Sequence, residues 1–108
     1  KLLCSLEPLR LIKRDVKCKE VFHLYCIQTS NRDQLARYLQ SKGIDAKIHY
    51  PVPMHLQPAS SKYSYKVGDF PEAEILANNT ISLPVHEYIN KDQIEYTVDI
   101  INQFFKSI

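Results

Sequence analysis

The sequence predicts a small α/β (α+β) domain, with a sheet of about three to four strands and helices mainly on one face. Three observations predict it. Residues 21–29, VFHLYCIQT, are β-branched and aromatic with almost no helix formers. Residues 31–43 and 90–105 carry apolar side chains at helical spacing behind good capping residues. Short apolar runs at 46–50 and 81–85 alternate with these helical segments, the pattern of a layered fold.

The run 21–29 reads as a buried strand. Alternation puts Phe22, Leu24, Cys26 and Gln28 on one face and Val21, His23, Tyr25, Ile27 and Thr29 on the other. Both faces are largely apolar, so the strand is expected to be central and covered on both sides. Asn31 is a good N-cap for the next helix, and Gln34 three residues on completes a capping box. Leu35, Tyr38 and Leu39 share its apolar face, and Gly43 ends it at the left-handed C′ position. AKIHY (46–50) reads as a second strand, stopped by Pro51 and Pro53, which cannot donate to a ladder.

Residues 51–68 form an irregular loop, rich in proline and polar residues. Asp69 then caps a helix, with Glu72 as its box partner and Pro71 in the tolerated first turn. Ala73, Leu76, Ala77 and Thr80 make a narrow face suited to close packing on a sheet. ISLPV (81–85) reads as a third strand, placed at an edge by Pro84. Asn90 and Gln93 open the last helix, whose stripe is Ile94, Val98, Ile101 and Phe105.

With 108 residues the chain suits one domain and one core. Hydrophobic residues at 44% exclude a disordered chain, and two glycines exclude any glycine-rich phosphate cradle. The net charge of +2 gives no global field for nucleic acid or an anionic membrane. No apolar run of about 18 residues spans a bilayer. Cys4, Cys18 and Cys26 are odd in number without CxxC spacing, as expected of reduced thiols in a cytoplasmic protein. Because the first residue is Lys1, a piece of a longer chain is expected. Residues 1–20 read as a connector from a missing large domain and 21–108 as the domain itself. The basic residues Arg10, Lys13, Arg14, Lys17 and Lys19 make either a phosphate-binding stripe or a solvated connector.

A self-sufficient catalytic set is not visible. His49 and His55 lie six apart around two prolines, too loosely spaced for a metal pair without a third ligand. His23 reads as a hydrogen-bonded sheet histidine, His86 as a strand-end residue, and Cys26 as an inert thiol in a buried strand. The segment that stands out is IHYPVPMHLQP (48–58). A strand ending in His49 and Tyr50 projects polar groups beyond the sheet, with His55 and Gln57 following. These residues either form a site or fill an interface with a larger neighbour. Tyr50, Met54, Leu56 and Tyr63 are the candidates for an exposed interdomain patch.

KGIDAKIHYPVPMHLQP (42–58) resembles the C-terminal segment of DegT/DnrJ-type sugar-nucleotide aminotransferases. VFHLYCI (21–27), NRDQLARYL (31–39), GDFPEAE (68–74) and SLPVH (82–86) resemble further motifs of that family in the same order, over roughly residues 8–105. The resemblance implies the small C-terminal domain of a pyridoxal-phosphate enzyme of aspartate-aminotransferase-like fold type I. It implies that the Schiff-base lysine, the pyridinium-pairing aspartate and most phosphate ligands lie outside this chain. No catalytic, cofactor-binding or metal residue is then expected here, and the chain alone is not expected to be catalytic. A homodimer, a nucleotide-linked keto-sugar substrate and glutamate as amino donor are also implied. His49, Tyr50, His55 and Gln57 map to the stretch that approaches the substrate. PASSKYSY (58–65) departs from the commoner family form, and Lys47 stands where relatives carry a small or uncharged residue. Two alternatives remain: a free-standing ferredoxin-like module that binds a metabolite or single-stranded nucleic acid, and a family relative that has lost catalysis and serves as a sensor.

Overall fold

The computed structural model describes residues 9–13 and 15–108. Cys4 and Arg14 therefore lie outside the described residues. The elements run β1 (Arg10–Leu11), β2 (Tyr25–Gln28), α1 (Arg32–Ser41), two 3₁₀ turns (Met54–Leu56 and Pro58–Tyr63), α2 (Pro71–Asn79), β3 (Thr80–Leu83) and α3 (Lys91–Lys106). The three strands form one antiparallel sheet in the order β1-β2-β3. The expected fold class is observed, with α1 and α3 packed on one sheet face.

The strand β2 is central as expected, but shorter. Phe22 has φ of 52°, which turns the chain out of the extended path, and regular pairing begins only at Tyr25. Val21, Phe22, His23 and Leu24 are consequently exposed, so His23 is not a sheet histidine. Nor is β2 covered on both sides. Its register with β3 pairs Tyr25 with Leu83, Cys26 with Ser82, Ile27 with Ile81 and Gln28 with Thr80. Ile27, Ile81 and Leu83 turn into the core, while Cys26, Gln28 and Thr80 line a cavity on the opposite face. Arg10 and Leu11, read as connector, add the third strand by pairing with Gln28 and Ile27.

Ile27, Leu35, Leu39, Ile81 and Ile101 have no accessible surface and centre the core. The end of α1 forms as expected. Gly43 has φ of 77°, its N–H donates to Gln40 O, and the Ile44 N–H donates to Leu39 O, both at 3.0 Å. These are the paired bonds of a Schellman motif, sealed by buried Leu39 and Ile44. Residues 46–50 do not make a full strand. Lys47 alone bridges Ser82 through two backbone bonds of 3.0 and 2.8 Å, because Pro51 and Pro53 end the extended path.

At the helix N-termini, side-chain capping follows the sequence only at α3. Asn90 Oδ1 accepts from Gln93 N at 2.9 Å, and Gln93 Oε1 accepts from Asn90 N at 3.0 Å. Asn31 makes no side-chain cap; its own N–H donates to Thr29 Oγ1 at 3.2 Å. Phe70, not Asp69, is the N-cap of α2, and Asp69 instead accepts from Lys66 N at 2.8 Å. The buried stripe of α3 is Val98, Ile101 and Phe104 with Ile100, whereas Ile94 is exposed and Phe105 half-buried.

The small-residue face of α2 is not packed shut. Only Ala77 is buried; Ala73 and Leu76 are exposed toward the cavity. The C-terminal end of α2 is tied down by Thr29 N, donating to Asn79 O at 3.0 Å, and by Arg32 Nη1, donating to Ala77 O at 2.9 Å. Arg32 is 6% exposed, and its Nε meets Asp33 at 2.7 Å as an ion pair without hydrogen-bond alignment. A buried guanidinium thus joins the start of α1 to the end of α2, a role not legible in the sequence.

Asn90→Ala is expected to destabilise the fold by about 0.5–2 kcal/mol, and Asn31→Ala by much less. Urea unfolding of the two variants checks this; equal losses would contradict the observed difference in capping.

Candidate functional site

On the sheet face away from α1 and α3 lies an open cavity of about 720 Å³. Its floor is Cys26, Gln28 and Thr80 from the strands, and one wall is Ala73, Leu76 and Ala77 of α2. The opposite wall and rim come from residues 49–65, with Phe70 closing one end. His49, Tyr50, His55 and Gln57 all line this one cavity, although they come from residues 49–57, which hold no strand or α-helix.

Each of the four is held differently. His49 is half-buried, its Nδ1 lies 3.0 Å from Ser82 Oγ, and its ring meets Tyr50 edge-on at 5.6 Å. Tyr50 is 73% exposed and stands on the rim. The His55 side chain is 7% exposed, packs against the tilted ring of Phe70 at 4.8 Å between centroids and commits Nε2 to Glu74 Oε1 at 3.0 Å. Gln57 donates from Nε2 to Val52 O at 3.3 Å, a bond that closes the turn rather than reaching outward. The loop also satisfies itself through Ser60 Oγ, which donates to Met54 O at 2.7 Å.

Glu74 is the residue that sequence reasoning missed. Its Oε1 accepts from Gly68 N at 2.8 Å as well as from His55, so one carboxylate joins the first 3₁₀ turn, the turn at Gly68 and α2. The Gly68 amide is the main reason its carboxyl stays below the ordinary carboxylate range; partial desolvation opposes this, and His55 and the Phe70 amide add to it. Its signal was present in GDFPEAE, where Glu74 follows Pro71 by three residues, but the capping pattern drew Glu72 instead. Ser82 was likewise overlooked inside SLPVH.

The remaining sequence candidates fall elsewhere. His86 is exposed, its Nδ1 accepting from Tyr88 N at 3.2 Å. Lys47 pairs with Asp45 at 2.6 Å on the surface. Cys18 is exposed, and Cys26, expected to be buried, is half-buried on the cavity floor with Sγ 3.4 Å from Ser82 Oγ. Among the described residues no group of three or more histidines, cysteines or carboxylates is placed to hold a metal ion. Tyr50, Met54 and Tyr63 form the exposed rim expected of an interface, at 73%, 82% and 59% exposure, whereas Leu56 is half-buried.

Chemically the arrangement is a mostly apolar, aromatic-walled groove with a few placed polar groups, the composition of a small-molecule site. The model of the DegT/DnrJ/EryC1/StrS aminotransferase family matches residues 1–102. A pleiotropic regulatory protein of Geobacillus stearothermophilus is 40% identical over 86 residues, 80% of this chain and 23% of its own length. The dTDP-3-amino-3,4,6-trideoxy-alpha-D-glucose transaminase of Streptomyces venezuelae is 34% identical over 88 residues, 82% of this chain and 23% of its own. The crystal structure of S. venezuelae DesV in complex with a ketimine intermediate superposes with a TM-score of 0.93 at 31% identity, covering 99% of this chain and 29% of that one. The chain thus spans about a quarter of the length of the curated relatives it matches.

Because the carboxyl of Glu74 is more acidic in the fold than in the unfolded chain, its stabilisation is present above the unfolded value and is lost as pH falls through the folded one. Thermal melting should therefore lose midpoint from the ordinary carboxylate range downward. Glu74→Gln should flatten that acid limb; an unchanged limb would rule out the brace as its source.

Proposed function

Because the chain belongs to the DegT/DnrJ/EryC1/StrS aminotransferase family, we propose that it is the small C-terminal domain of an aminotransferase acting on a nucleotide-linked keto-sugar. Glutamate is the amino donor in this reading, pyridoxal phosphate the cofactor, and the working protein a cytoplasmic homodimer. One observation carries the proposal: His49, Tyr50, His55 and Gln57 converge on a single groove, in a chain about a quarter as long as its relatives. Family membership displaces the free-standing nucleic-acid module. No helix of the described residues is long and apolar enough to cross a membrane.

Pyridoxal phosphate needs an amine for its aldehyde and a carboxylate for its ring nitrogen, and when bound it supplies an electron sink. Among the described residues, the groove lining holds neither lysine nor carboxylate. The lining by itself does not fit the cofactor, and we assign cofactor binding to the rest of the protein. This chain's share is one wall of the substrate site. His49 and Tyr50 hydrogen-bond the nucleotide sugar, Gln57 closes the turn that follows them, and His55 holds the wall through Glu74 and Phe70. Such a wall works by orientation and by excluding water.

The exposed rim of Tyr50, Met54 and Tyr63 is the surface that the remainder of the protein or the second subunit covers. A second reading, a family member that regulates without catalysing, is favoured by the name of the Geobacillus relative. Amino transfer from glutamate to a dTDP-linked keto-sugar, assayed with the intact protein, separates the two: turnover supports the enzyme, and its absence supports the regulator. In the enzyme, Tyr50→Ala is expected to raise KM for the nucleotide sugar by about tenfold, the loss of one or two hydrogen bonds. The KM for glutamate should change little. Borohydride reduction of the holoenzyme should leave the cofactor on a peptide outside residues 1–108; an adduct within them would overturn the assignment.

A further inference from the structure

Ser82 stands on the cavity face of β3 between two side chains. Its Oγ is 3.0 Å from His49 Nδ1 and 3.4 Å from Cys26 Sγ. The residue is 3% exposed; its backbone N–H and C=O are both bonded to Lys47, and Cys26 stands directly opposite it on β2. Lys47 lies two residues before His49, so the same bridge that fixes Ser82 also fixes the approach of the histidine. The hydroxyl is thus set by the sheet, not by a mobile loop.

A hydroxyl has one proton to give, and here two neighbours could take it. A ring nitrogen is a strong acceptor, whereas a thiol sulfur is a weak acceptor and its S–H a weak donor. Two orders serve both contacts, and the one that gives the hydroxyl proton to the stronger acceptor has the Cys26 S–H donating to Ser82 Oγ and the Ser82 O–H donating to His49 Nδ1. Nδ1 must then be unprotonated, and a neutral ring carries its proton on Nε2.

We propose that Ser82 is a positioning residue that fixes His49 as the Nε2–H tautomer, making the ring a hydrogen-bond donor to an oxygen of the ligand in the groove. Cys26 completes the relay by fixing the rotor of the hydroxyl. The identity of the ligand rests on the aminotransferase reading; the tautomer does not.

The test is nitrogen NMR of the intact protein carrying 15N-labelled histidine, at a pH where the ring is neutral. His49 is assigned by the signals missing from His49→Phe. Wild type should show one tautomer with the proton on Nε2. Ser82→Thr, which keeps the hydroxyl, should retain it. Ser82→Val has the shape of threonine without the hydroxyl, and its two ring-nitrogen shifts should move toward each other as the tautomers exchange. Affinity for added dTDP-glucose should fall about two- to tenfold in Ser82→Val and be restored in Ser82→Thr. A wild-type ring protonated on Nδ1, or mixed, overturns the proposal even if Ser82→Val fails to fold. Identical patterns in the valine and threonine variants overturn it as well. If the tautomer behaves as stated but dTDP-glucose leaves the His49 signals unmoved, the role of Ser82 stands and the nucleotide-sugar reading of the groove fails.

Discussion

The pairing of β2 with β3 is the constraint on which the remaining structure depends. Cys26 opposite Ser82 and Ile27 opposite Ile81 decide which side chains meet the helices and which meet the groove. Side chains alternate along a strand, so a slip of one residue would exchange the two sets. A slip of β2 would bring Cys26 under α1 and α3 and expose Ile27 on the groove floor; a slip of β3 would do the same with Ser82 and Ile81. Burial of these isoleucines with Leu35, Leu39 and Ile101 resists such a slip, since each fully buried aliphatic side chain contributes about 1.5–3 kcal/mol. The packing that stabilises one face thereby sets the chemistry of the other.

The groove wall is built from irregular chain, which carries a larger entropic cost than a strand or helix end. Short-range polar contacts offset part of it: Ser60 to Met54, Gln57 to Val52, and Asp69 to Lys66. The long-range hold comes from Glu74, which reaches from α2 to both Gly68 and His55. Around it His55, Phe70, Tyr65 and Tyr63 form a run of ring contacts between 4.8 and 6.0 Å. One end of α2 thus shapes the groove, while Thr29 and Arg32 anchor its other end to the domain.

A chain with an apolar groove, an aromatic rim and few outward polar groups is suited to enclosing a ligand against another surface. That fits a family in which this chain spans only about a quarter of its relatives. In the proposed site the two histidines divide this work. His55 has its Nε2 committed to a carboxylate and its ring packed against Phe70, whereas His49 has only Nδ1 at its serine partner.

What the sequence by itself determined was local. The glycine stop of α1, the Asn90–Gln93 capping box, the apolar face of Leu35 and Leu39 and the proline ends of the strands each follow from residues a few positions apart. The order of its motifs also placed the chain in its family. Tertiary structure alone decided where β2 begins, since a left-handed Phe22 outweighs the β propensity of Val21–Leu24. It also turned the alanine face of α2 to a groove rather than to the core, chose Glu74 over Glu72 as the structural carboxylate, and brought Ser82 beneath His49 across 33 residues of chain. Periodicity and capping record which residues favour an element, but not what packs on it. A contact between distant segments exists only once the register of the sheet has brought them together.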